Sequence, residues 1–282
     1  MTRSSAEAGV LYVVATPIGH LDDMTLRAVK VLRGVDKILC EDTRVTRVLC
    51  AHFGITAPLL RHDAHTEARS SEGAVALLAA GEALALVSDA GTPAVSDPGA
   101  RLVRQVHAAG FRVVPIPGVS ALTAALSAAG LGEGAGFTFG GFWPKKTHAA
   151  RRQLAALCEG LHAWFVPARD LASVAAAFAE AAPAAALAIG RELTKVHETW
   201  YRGTPSEVSA QLAADPHASR GEAVLVADLP AVELDDDALR AALQAHLDAG
   251  ATARDAVAAV ATATGARRRR VYQLALSLDA GR

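Results

Sequence analysis

The sequence has few cysteines, no substantial net charge and no long apolar segment, and each shortage excludes a class of protein. Its three cysteines form no Cys-x-x-Cys pair and one must stay unpaired, so neither a disulfide scaffold nor a zinc site is indicated. The balance of 28 basic against 29 acidic residues excludes an indiscriminate polycation. Apolar residues make up 51% of the 282 positions, which excludes an intrinsically disordered chain.

The apolar residues do not cluster into membrane or targeting segments. The longest uncharged stretch, residues 113–132, contains two prolines and three glycines, so it predicts a strand, a turn and a helix instead of a membrane span. Near the amino end, Glu7 precedes a short apolar run without a cleavage-like site, which is not the pattern of a signal peptide. We therefore expect a cytoplasmic protein that does not bind a membrane.

Several nucleotide and hydrolase signatures are also absent. No Gly-x-Gly-x-x-Gly follows the first predicted strand and no P-loop motif occurs. The sequence therefore does not favour an ordinary dinucleotide site or a nucleoside triphosphate site. There is no His-Glu-x-x-His, and we predict no metal site. The run Gly118-Val119-Ser120 resembles half of a nucleophile elbow, but Leu122 replaces its second glycine.

Short apolar runs alternate with helical patterns as far as residue 229, which predicts two α/β subdomains with mostly parallel central strands. The first subdomain is expected at residues 9–131 and the second at 132–229, with a glycine-rich junction at 130–136. Residues 233–282 contain three short helical patterns and no strand pattern. They are typical of a small all-α, trihelical RNA-binding module of the helix-turn-helix type.

Turn and cap residues place the individual elements. The first helix is expected to start at a cap on Asp23 and to run towards Arg33, and a second helix is expected over residues 43–52. In the second subdomain, a strand at 185–189 is followed by a polar segment at 199–201, which is not predicted as a strand.

Four turns rich in small and polar residues follow predicted strands, at the edge where open α/β sheets bind ligands. They lie at residues 16–21, 41–44, 88–99 and 115–121. Each turn alone could be a structural feature, with Asp42 or Ser120 serving only as a helix cap. Their combination in this order favours a ligand site, since small residues let the backbone approach a ligand closely.

With these turns, the sequence resembles the tetrapyrrole methylase superfamily and, within it, the ribosomal RNA small subunit methyltransferase I family. The resemblance rests on residues 41–44 (EDTR), 86–93 (LVSDAGTP), 128–131 (AAGL) and 192–195 (ELTK), and it extends over essentially the whole chain. It implies two α/β subdomains of the tetrapyrrole methylase type with an S-adenosylmethionine cleft between them. It also implies methyl transfer to the ribose 2′-hydroxyl of a cytidine in small-subunit ribosomal RNA, within the assembled subunit, by a homodimer.

The resemblance also assigns candidate site residues. The expected cofactor contacts, made largely through backbone and apolar surface, are Pro17, Asp89, Gly91, Thr92, Ser120, Ala121, Leu193 and Ala223. Methyl transfer from a sulfonium leaves a neutral thioether, so the reaction needs positioning and a proton acceptor but no leaving-group acid. Glu41, Asp42 and Arg44 are the catalytic candidates. In the alternative, Asp42 only begins a helix while Arg44 holds Glu41.

Two segments depart from the family pattern. Family members commonly have Gly-Asn where this chain has Gly19-His20. The family's Tyr-Glu-Ser-(Pro/Thr)-His-Arg type of segment appears here as FVPARD at residues 165–170, without its Glu and His. We expect these two side chains to be dispensable for the chemistry.

RNA binding must come from local charge, because the net charge is −1. The basic candidates form two clusters along the chain, Lys145, Lys146, Arg151 and Arg152, then Arg267, Arg268, Arg269 and Arg270, and a looser group comprises Arg44, Arg47 and Arg61. The second cluster opposes the dipole at a predicted helix start, which favours a function over a merely solvated position. Phe142 and Trp143 precede the first cluster and could either stack on an exposed base or pack between the subdomains.

Two other functions remain as alternatives. A small-molecule methylase of the same fold would act on a tetrapyrrole, but the helical module and the basic clusters weigh against it. A non-catalytic RNA-binding assembly factor would explain the altered segment at 165–170.

Overall fold

The computed structural model describes residues 6–132, 136–230, 235–264 and 266–279. In the first of these ranges, five parallel strands form a sheet in the order β3-β2-β4-β1-β5. The strands are β1 (Val10–Val14), β2 (Lys37–Cys40), β3 (Leu59–Arg61), β4 (Leu84–Leu86) and β5 (Arg112–Ile116). The helices are α1 (Leu26–Gly34), α2 (Thr43–His52), α3 (Glu67–Ala79), α4 (Ala100–Ala108) and α5 (Ala121–Ala129). The predicted α/β alternation is confirmed here.

Alternating strand residues of this sheet bury two separate apolar faces, as the period of two in a strand requires. Leu11 and Leu39 face α3 and α4, where they pack with Leu78 and Leu102. The opposite face, with Ile38 among its residues, packs against α1 and α2. The sheet is thus covered on both sides, which leaves its edges and loop ends for a site.

The first helix begins later than the sequence pattern predicts. Asp23 ends a short 3₁₀ turn over Leu21–Asp23, and Thr25 is the residue that caps α1. The Thr25 hydroxyl accepts a hydrogen bond from the backbone N–H of Ala28 at 3.1 Å. The prediction of an Asp23 cap was wrong because the extra turn separates Asp23 from the helix.

The described part of the second subdomain forms another five-stranded sheet, in the order β6-β7-β10-β8-β9. The strands are β6 (Phe137–Phe142), β7 (Gly160–Pro167), β8 (Ala186–Arg191), β9 (Thr199–Gly203) and β10 (Glu222–Leu229). Only the β6–β7 pair is parallel; the other three pairs are antiparallel. The prediction of mostly parallel strands was therefore wrong for this subdomain. The polar segment at 199–201 belongs to β9, which forms a hairpin with β8.

The two sheets share α5. One face of the second sheet packs on α6 (Thr147–Ala155), α7 (Leu171–Ala181) and α8 (Pro205–Ala214). Its other face packs on Leu122 and Ala125 of α5, which lies before the glycine-rich junction in the chain. The helix that completes the first subdomain in sequence therefore buries its apolar side against the second.

After residue 235 the described residues form α9 (Asp236–Asp248), α10 (Ala253–Thr264) and α11 (Arg268–Asp279). They enclose an apolar core of their own, built around Leu243, Val257 and Val271. The expected module boundary at 233 and the chain end at 280–282 lie outside the described residues, as do positions 133–135 of the junction. In the described ranges, no helix has both the length and the apolar character that crossing a bilayer requires.

Candidate functional site

A cleft of about 590 Å³ lies between the carboxyl edge of the first sheet and the second subdomain. Its first wall consists of residues that follow β1, β2, β4 and β5, including Ile18, Glu41 and Ser120. The opposite wall comes from segments at 165–169, 190–195 and 221–224. The volume is typical of a small-molecule site, and the position agrees with the rule for open α/β sheets.

Hydrogen bonds tie three of the loops together on the first wall. Thr16 and Gly91 exchange backbone hydrogen bonds of 2.9 and 3.1 Å, and the Thr92 hydroxyl donates to the carbonyl of Val119 at 3.1 Å. In the same segment, Ala94 and Ser96 have positive φ angles of 64° and 72°, which are uncommon for residues with a side chain. The loop after β4 is thus held in a specific shape that the rest of the fold must stabilise.

The β8–β9 connection provides much of the second wall. Glu192 has a φ of 52°, and its carboxylate accepts hydrogen bonds from Lys195 Nζ at 2.8 Å and from the Glu222 backbone N–H at 3.0 Å. Burial alone would raise the pKa of Glu192, but these contacts outweigh it and hold the pKa below its usual value. Glu192 and Lys195 therefore fix the shape of this wall.

The two walls touch where Gly19 packs against residues 193–195. A Cβ at Gly19 would lie 2.7 Å from Thr194 Oγ1, so a side chain does not fit there. The backbone N–H of His20 donates to Thr194 Oγ1 at 3.2 Å. Because this contact uses the backbone, it does not depend on the family's usual Asn at position 20.

Five carboxyl groups line the cleft, and three of them, those of Glu41, Asp89 and Asp97, lie on its first wall. Burial and the nearby carboxylates, Asp89 first among them, raise the pKa of Glu41. Burial also raises the pKa of Asp89, although Asp89 Oδ1 accepts a hydrogen bond from the Asp42 backbone N–H at 3.0 Å. Burial, with Glu41, Asp89 and Glu222 nearby, raises the pKa of Asp97 to about 6. Such a group can exchange a proton near neutral pH.

The sequence did not single out Asp97. It lies inside the predicted turn at 88–99, but an Asp before a proline is an ordinary start to a helix or turn. Its neighbours Glu41 and Glu222 are distant in the chain, and only the fold brings them close. No local sequence pattern therefore predicts this cluster of carboxyl groups.

Most of the residues expected to contact the cofactor line the cleft. These are Asp89, Gly91, Thr92, Ser120, Ala121, Leu193 and Ala223. Pro17 is buried and does not belong to the described lining, in which Ile18 takes the neighbouring position.

The catalytic candidates separate into two groups. Glu41 lines the cleft, but Asp42 and Arg44 are not among its described lining residues. Asp42 caps α2, and its carboxylate accepts hydrogen bonds from the Arg44 backbone N–H at 2.8 Å and from its guanidinium at 2.7 Å. These hydrogen bonds lower the pKa of Asp42 to about 2. The structure thus favours the helix-cap alternative for this pair, with the correction that Arg44 holds Asp42 and not Glu41.

The altered segment at 165–170 lies in the site. Phe165, Val166, Pro167 and Arg169 all line the cleft. Of the two aromatic residues before the first basic cluster, Phe142 lines the cleft while Trp143 is buried against Trp164.

The basic residues differ in their exposure and in their ion pairs. Lys145, Lys146 and Arg152 are exposed, and Arg151 approaches Glu180 at 3.4 Å. In the last helix Arg268 and Arg269 border an open groove together with Tyr272. Arg270 is paired instead with Asp236 at 2.8 Å. Within the described ranges, no group of three His, Cys, Asp or Glu side chains is arranged to hold a metal.

Comparisons with known proteins agree with this architecture. A family model for Tetrapyrrole (Corrin/Porphyrin) Methylases matches residues 10–209. The ribosomal RNA small subunit methyltransferase I of Neisseria meningitidis serogroup B is 42% identical over 278 residues, covering 97% of this chain and 95% of that protein. The protein of the same name from Xylella fastidiosa is 43% identical, and the match covers 94% of this chain and 98% of the Xylella protein. Matches of that extent include the carboxyl-terminal helices.

Among solved structures, a uroporphyrin-III-C-methyltransferase from Thermus thermophilus has a similar fold. Its TM-score is 0.57 at 20% identity, and the match covers 78% of this chain and 94% of that one. At such low identity the similarity concerns the fold alone.

Proposed function

Because the chain belongs to the tetrapyrrole (corrin/porphyrin) methylase family and, within it, to the ribosomal RNA small subunit methyltransferase I family, we propose that it methylates small-subunit ribosomal RNA. It is a methyltransferase, and its cofactor is S-adenosylmethionine. The observation that carries the proposal is the cleft, in which turns that match the family pattern lie beside carboxyl groups of raised pKa.

The cleft fits a cofactor that carries a sulfonium and an ammonium group. Glu41, Asp89 and Asp97 supply negative charge around it. Gly91, with a φ of 80°, lets the backbone come close to a ligand, and Leu193 offers an apolar surface. The amino end of the nine-residue helix α5 adds backbone N–H groups that can bind a carboxylate.

When bound, S-adenosylmethionine supplies an electrophilic methyl group on sulfur. The walls of the cleft have to hold the acceptor oxygen in line with that methyl group, and a side chain has to take the hydroxyl proton. Asp97 suits this second task, since a pKa of about 6 leaves it ionised at neutral pH yet more basic than an exposed carboxylate. In this role the Asp97 carboxylate would accept the proton that the hydroxyl loses when its oxygen takes the methyl group. Burial keeps the pKa of Asp97 high, and the charge of Glu41 adds to this effect.

In finer detail, the proposed acceptor is the ribose 2′-hydroxyl of a cytidine in the assembled small subunit, and the proposed location is the cytoplasm. A hydroxyl acceptor is consistent with a cleft that offers a carboxylate base. Residues 9–131 and 132–229 are proposed to form the catalytic part, and residues 233–282 the RNA-binding module. The residues proposed to contact RNA are Lys145, Lys146, Arg151, Arg152, Arg267, Arg268 and Arg269.

The protein is further proposed to act as a homodimer. The interface of such a dimer would cover large apolar side chains that this surface exposes. Leu26 is 81% exposed, Val48 on α2 is 66% exposed and Val196 on the β8–β9 connection is 97% exposed.

A single assay tests the activity. Methyl-labelled S-adenosylmethionine is offered with undermethylated small ribosomal subunits, with free small-subunit rRNA, or with a tetrapyrrole precursor. We expect label on a cytidine ribose, with the assembled subunit as the best substrate. Label on the tetrapyrrole alone would identify a small-molecule methylase. Cofactor binding without label on any substrate would identify a non-catalytic assembly factor.

A further inference from the structure

Phe142 is an exposed aromatic residue at the cleft. Its side chain is 60% exposed although it lines the cavity. The next residue, Trp143, points the other way and packs in the core against Trp164 and Phe178. The fold therefore buries one of two adjacent aromatic side chains and leaves the other open to a ligand.

A bulge in β6 gives Phe142 this position. The strand pairs regularly with β7 up to Phe139 opposite Ala163, but Phe142 then lies opposite Phe165, so β6 uses one residue more than its partner. Gly140 and Gly141 form the irregular stretch: a Cβ at Gly140 would lie 2.0 Å from Trp164 Nε1, and Gly141 has a φ of 69°. A bulge of this kind redirects the side chains that follow it.

The redirected ring is supported from one side. Phe165 contacts Phe142 edge-on, with ring centres 5.5 Å apart, and Phe139 in the same way at 5.0 Å. Phe165 is thus held between two aromatic neighbours, while Phe142 keeps most of its surface open. A rigid ring that is backed by other rings and open to solvent can stack on a nucleobase.

Basic residues that can bind phosphates occur in the cleft beside Phe142 and in the chain just after it. Arg169 lines the same cleft, and Lys145 and Lys146 follow three and four residues later in the chain, both exposed. The bulge also approaches the loop that carries the proposed proton acceptor, since a Cβ at Gly141 would lie 3.9 Å from Ser96 Oγ. Asp97 is the next residue after Ser96.

We infer that Phe142, backed by Phe165, is the platform on which a base of the RNA substrate stacks, so that the attached ribose lies beside the loop of Asp97. The inference rests on the proposed function and adds a specific subsite to it. The phosphates of the same strand then run past Arg169 towards Lys145 and Lys146. Base stacking on an aromatic side chain of this kind is sequence-tolerant, so the platform positions the nucleotide without choosing it.

The test compares Phe142→Leu and Phe142→Trp with Phe137→Leu. Phe137 lies on the same strand and is 47% exposed, but it is not among the described lining residues, so it is a matched control. Phe142→Leu is expected to lower kcat/KM for the small subunit by about tenfold to a hundredfold, the range of one lost stacking contact. Phe142→Trp should retain most activity, Phe137→Leu all of it, and the Kd for S-adenosylmethionine should stay unchanged throughout.

Binding of a small-subunit rRNA transcript at fixed salt provides a readout that does not need catalysis. Weaker binding by Phe142→Leu than by Phe137→Leu supports the platform, even if the wild-type protein methylates no ribosomal substrate and the proposed function fails. Equal RNA binding and equal kcat/KM for the two leucine variants would overturn the platform while leaving the function intact. A matching loss of S-adenosylmethionine affinity in Phe142→Leu would also overturn it, because Phe142 would then belong to the cofactor site.

Discussion

The ionised form of Asp97 is expected to have opposite effects on stability and on catalysis. Its pKa of about 6 in the folded protein lies above the value of about 3.9 for an unfolded Asp, because burial and three carboxylates disfavour its charge. Folding therefore favours the protonated form, and the charged form costs stability as the pH rises from about 4 to 6 and at all higher pH. The same charged form is the one that can accept a proton.

Asp97→Asn is expected to raise the free energy of unfolding at pH 8, on the order of 1–2 kcal/mol, with no gain at pH 4. Its methylation rate should fall by about 10² or more, and in the wild type the rate should rise with a midpoint near pH 6. Denaturant melts at both pH values and a pH–rate profile measure these effects. A variant that keeps the wild-type profile would remove Asp97 from the proton-transfer step.

Asp63→Asn is a control for which the expected change in stability has the opposite sign. Hydrogen bonds from the Thr66 backbone and side chain, together with Arg61, lower the pKa of Asp63 to about 2. Its charge therefore stabilises the fold above the unfolded pKa and loses this effect only as the pH falls towards 2. This variant should be less stable at pH 8, whereas Asp97→Asn should be more stable.

At the scale of elements, the first sheet could be predicted closely and the second could not. The runs at Lys37–Cys40 and Arg112–Ile116 are short, apolar and bounded by turn residues, so their limits follow from local pattern. Strand direction in the second sheet depends on β10 lying between β7 and β8, a long-range pairing that leaves no local signal. The segment of β9 has no apolar pattern in the sequence. Its Tyr201 is nevertheless buried by tertiary contacts, with its hydroxyl donating to Asp215 at 2.5 Å.

The candidate site also has parts that could be predicted from the sequence and parts that could not. The turns after β1, β4 and β5 could be predicted because small residues at the ends of apolar runs are a local pattern. Leu193 and Ala223 came only from family resemblance, since they lie on the far wall of the cleft, in a different subdomain from those turns. The sequence left two interpretations of Phe142 open, and the choice between them needed the bulge in β6, which depends on the contact of Gly140 with Trp164 and on the positive φ of Gly141.

The contacts of α11 predict that the arginines of its basic cluster differ in their contribution to RNA binding. Arg268 and Arg269 border the open groove on α10 and α11, whereas Arg270 is held by Asp236. The double variant Arg268→Gln/Arg269→Gln should lower the slope of log K against log salt for RNA binding by about two. Arg270→Gln should leave the slope nearly unchanged and cost at most about 1 kcal/mol of module stability, as for an exposed ion pair. Equal slopes for the two variants would contradict this assignment.

For the whole molecule, the separate core of α9, α10 and α11 predicts that RNA binding and cofactor binding can be separated. Ending the chain after Pro230 keeps β10 intact, and we expect an unchanged Kd for S-adenosylmethionine by calorimetry. Binding to the small subunit should weaken, because the proposed contacts of the module are lost. Equal loss of both affinities would show that the module supports the fold of the cleft.

The cleft itself depends on how the two subdomains meet. They share the apolar face of α5 on one side and touch through Gly19 and residues 193–195 on the other. The second contact is adjacent to Ile18 and includes Leu193, both of which line the cleft. A small displacement at Gly19 should therefore alter the width of the cofactor site more than it alters either core.

Gly19→Ala tests this coupling between subdomain contact and cofactor binding. The new methyl group would lie 2.5 Å from Lys195 Cγ and 3.1 Å from the backbone oxygen of Leu193, and overpacking of this kind costs about 1–3 kcal/mol. We expect S-adenosylmethionine to bind at least about fivefold more weakly, and the thermal unfolding midpoint to fall by about 2–4 °C for each kcal/mol of overpacking. Gly73→Ala, at an open helical position of α3, should leave binding unchanged. Unchanged affinity in Gly19→Ala would show that the cleft tolerates movement between its walls.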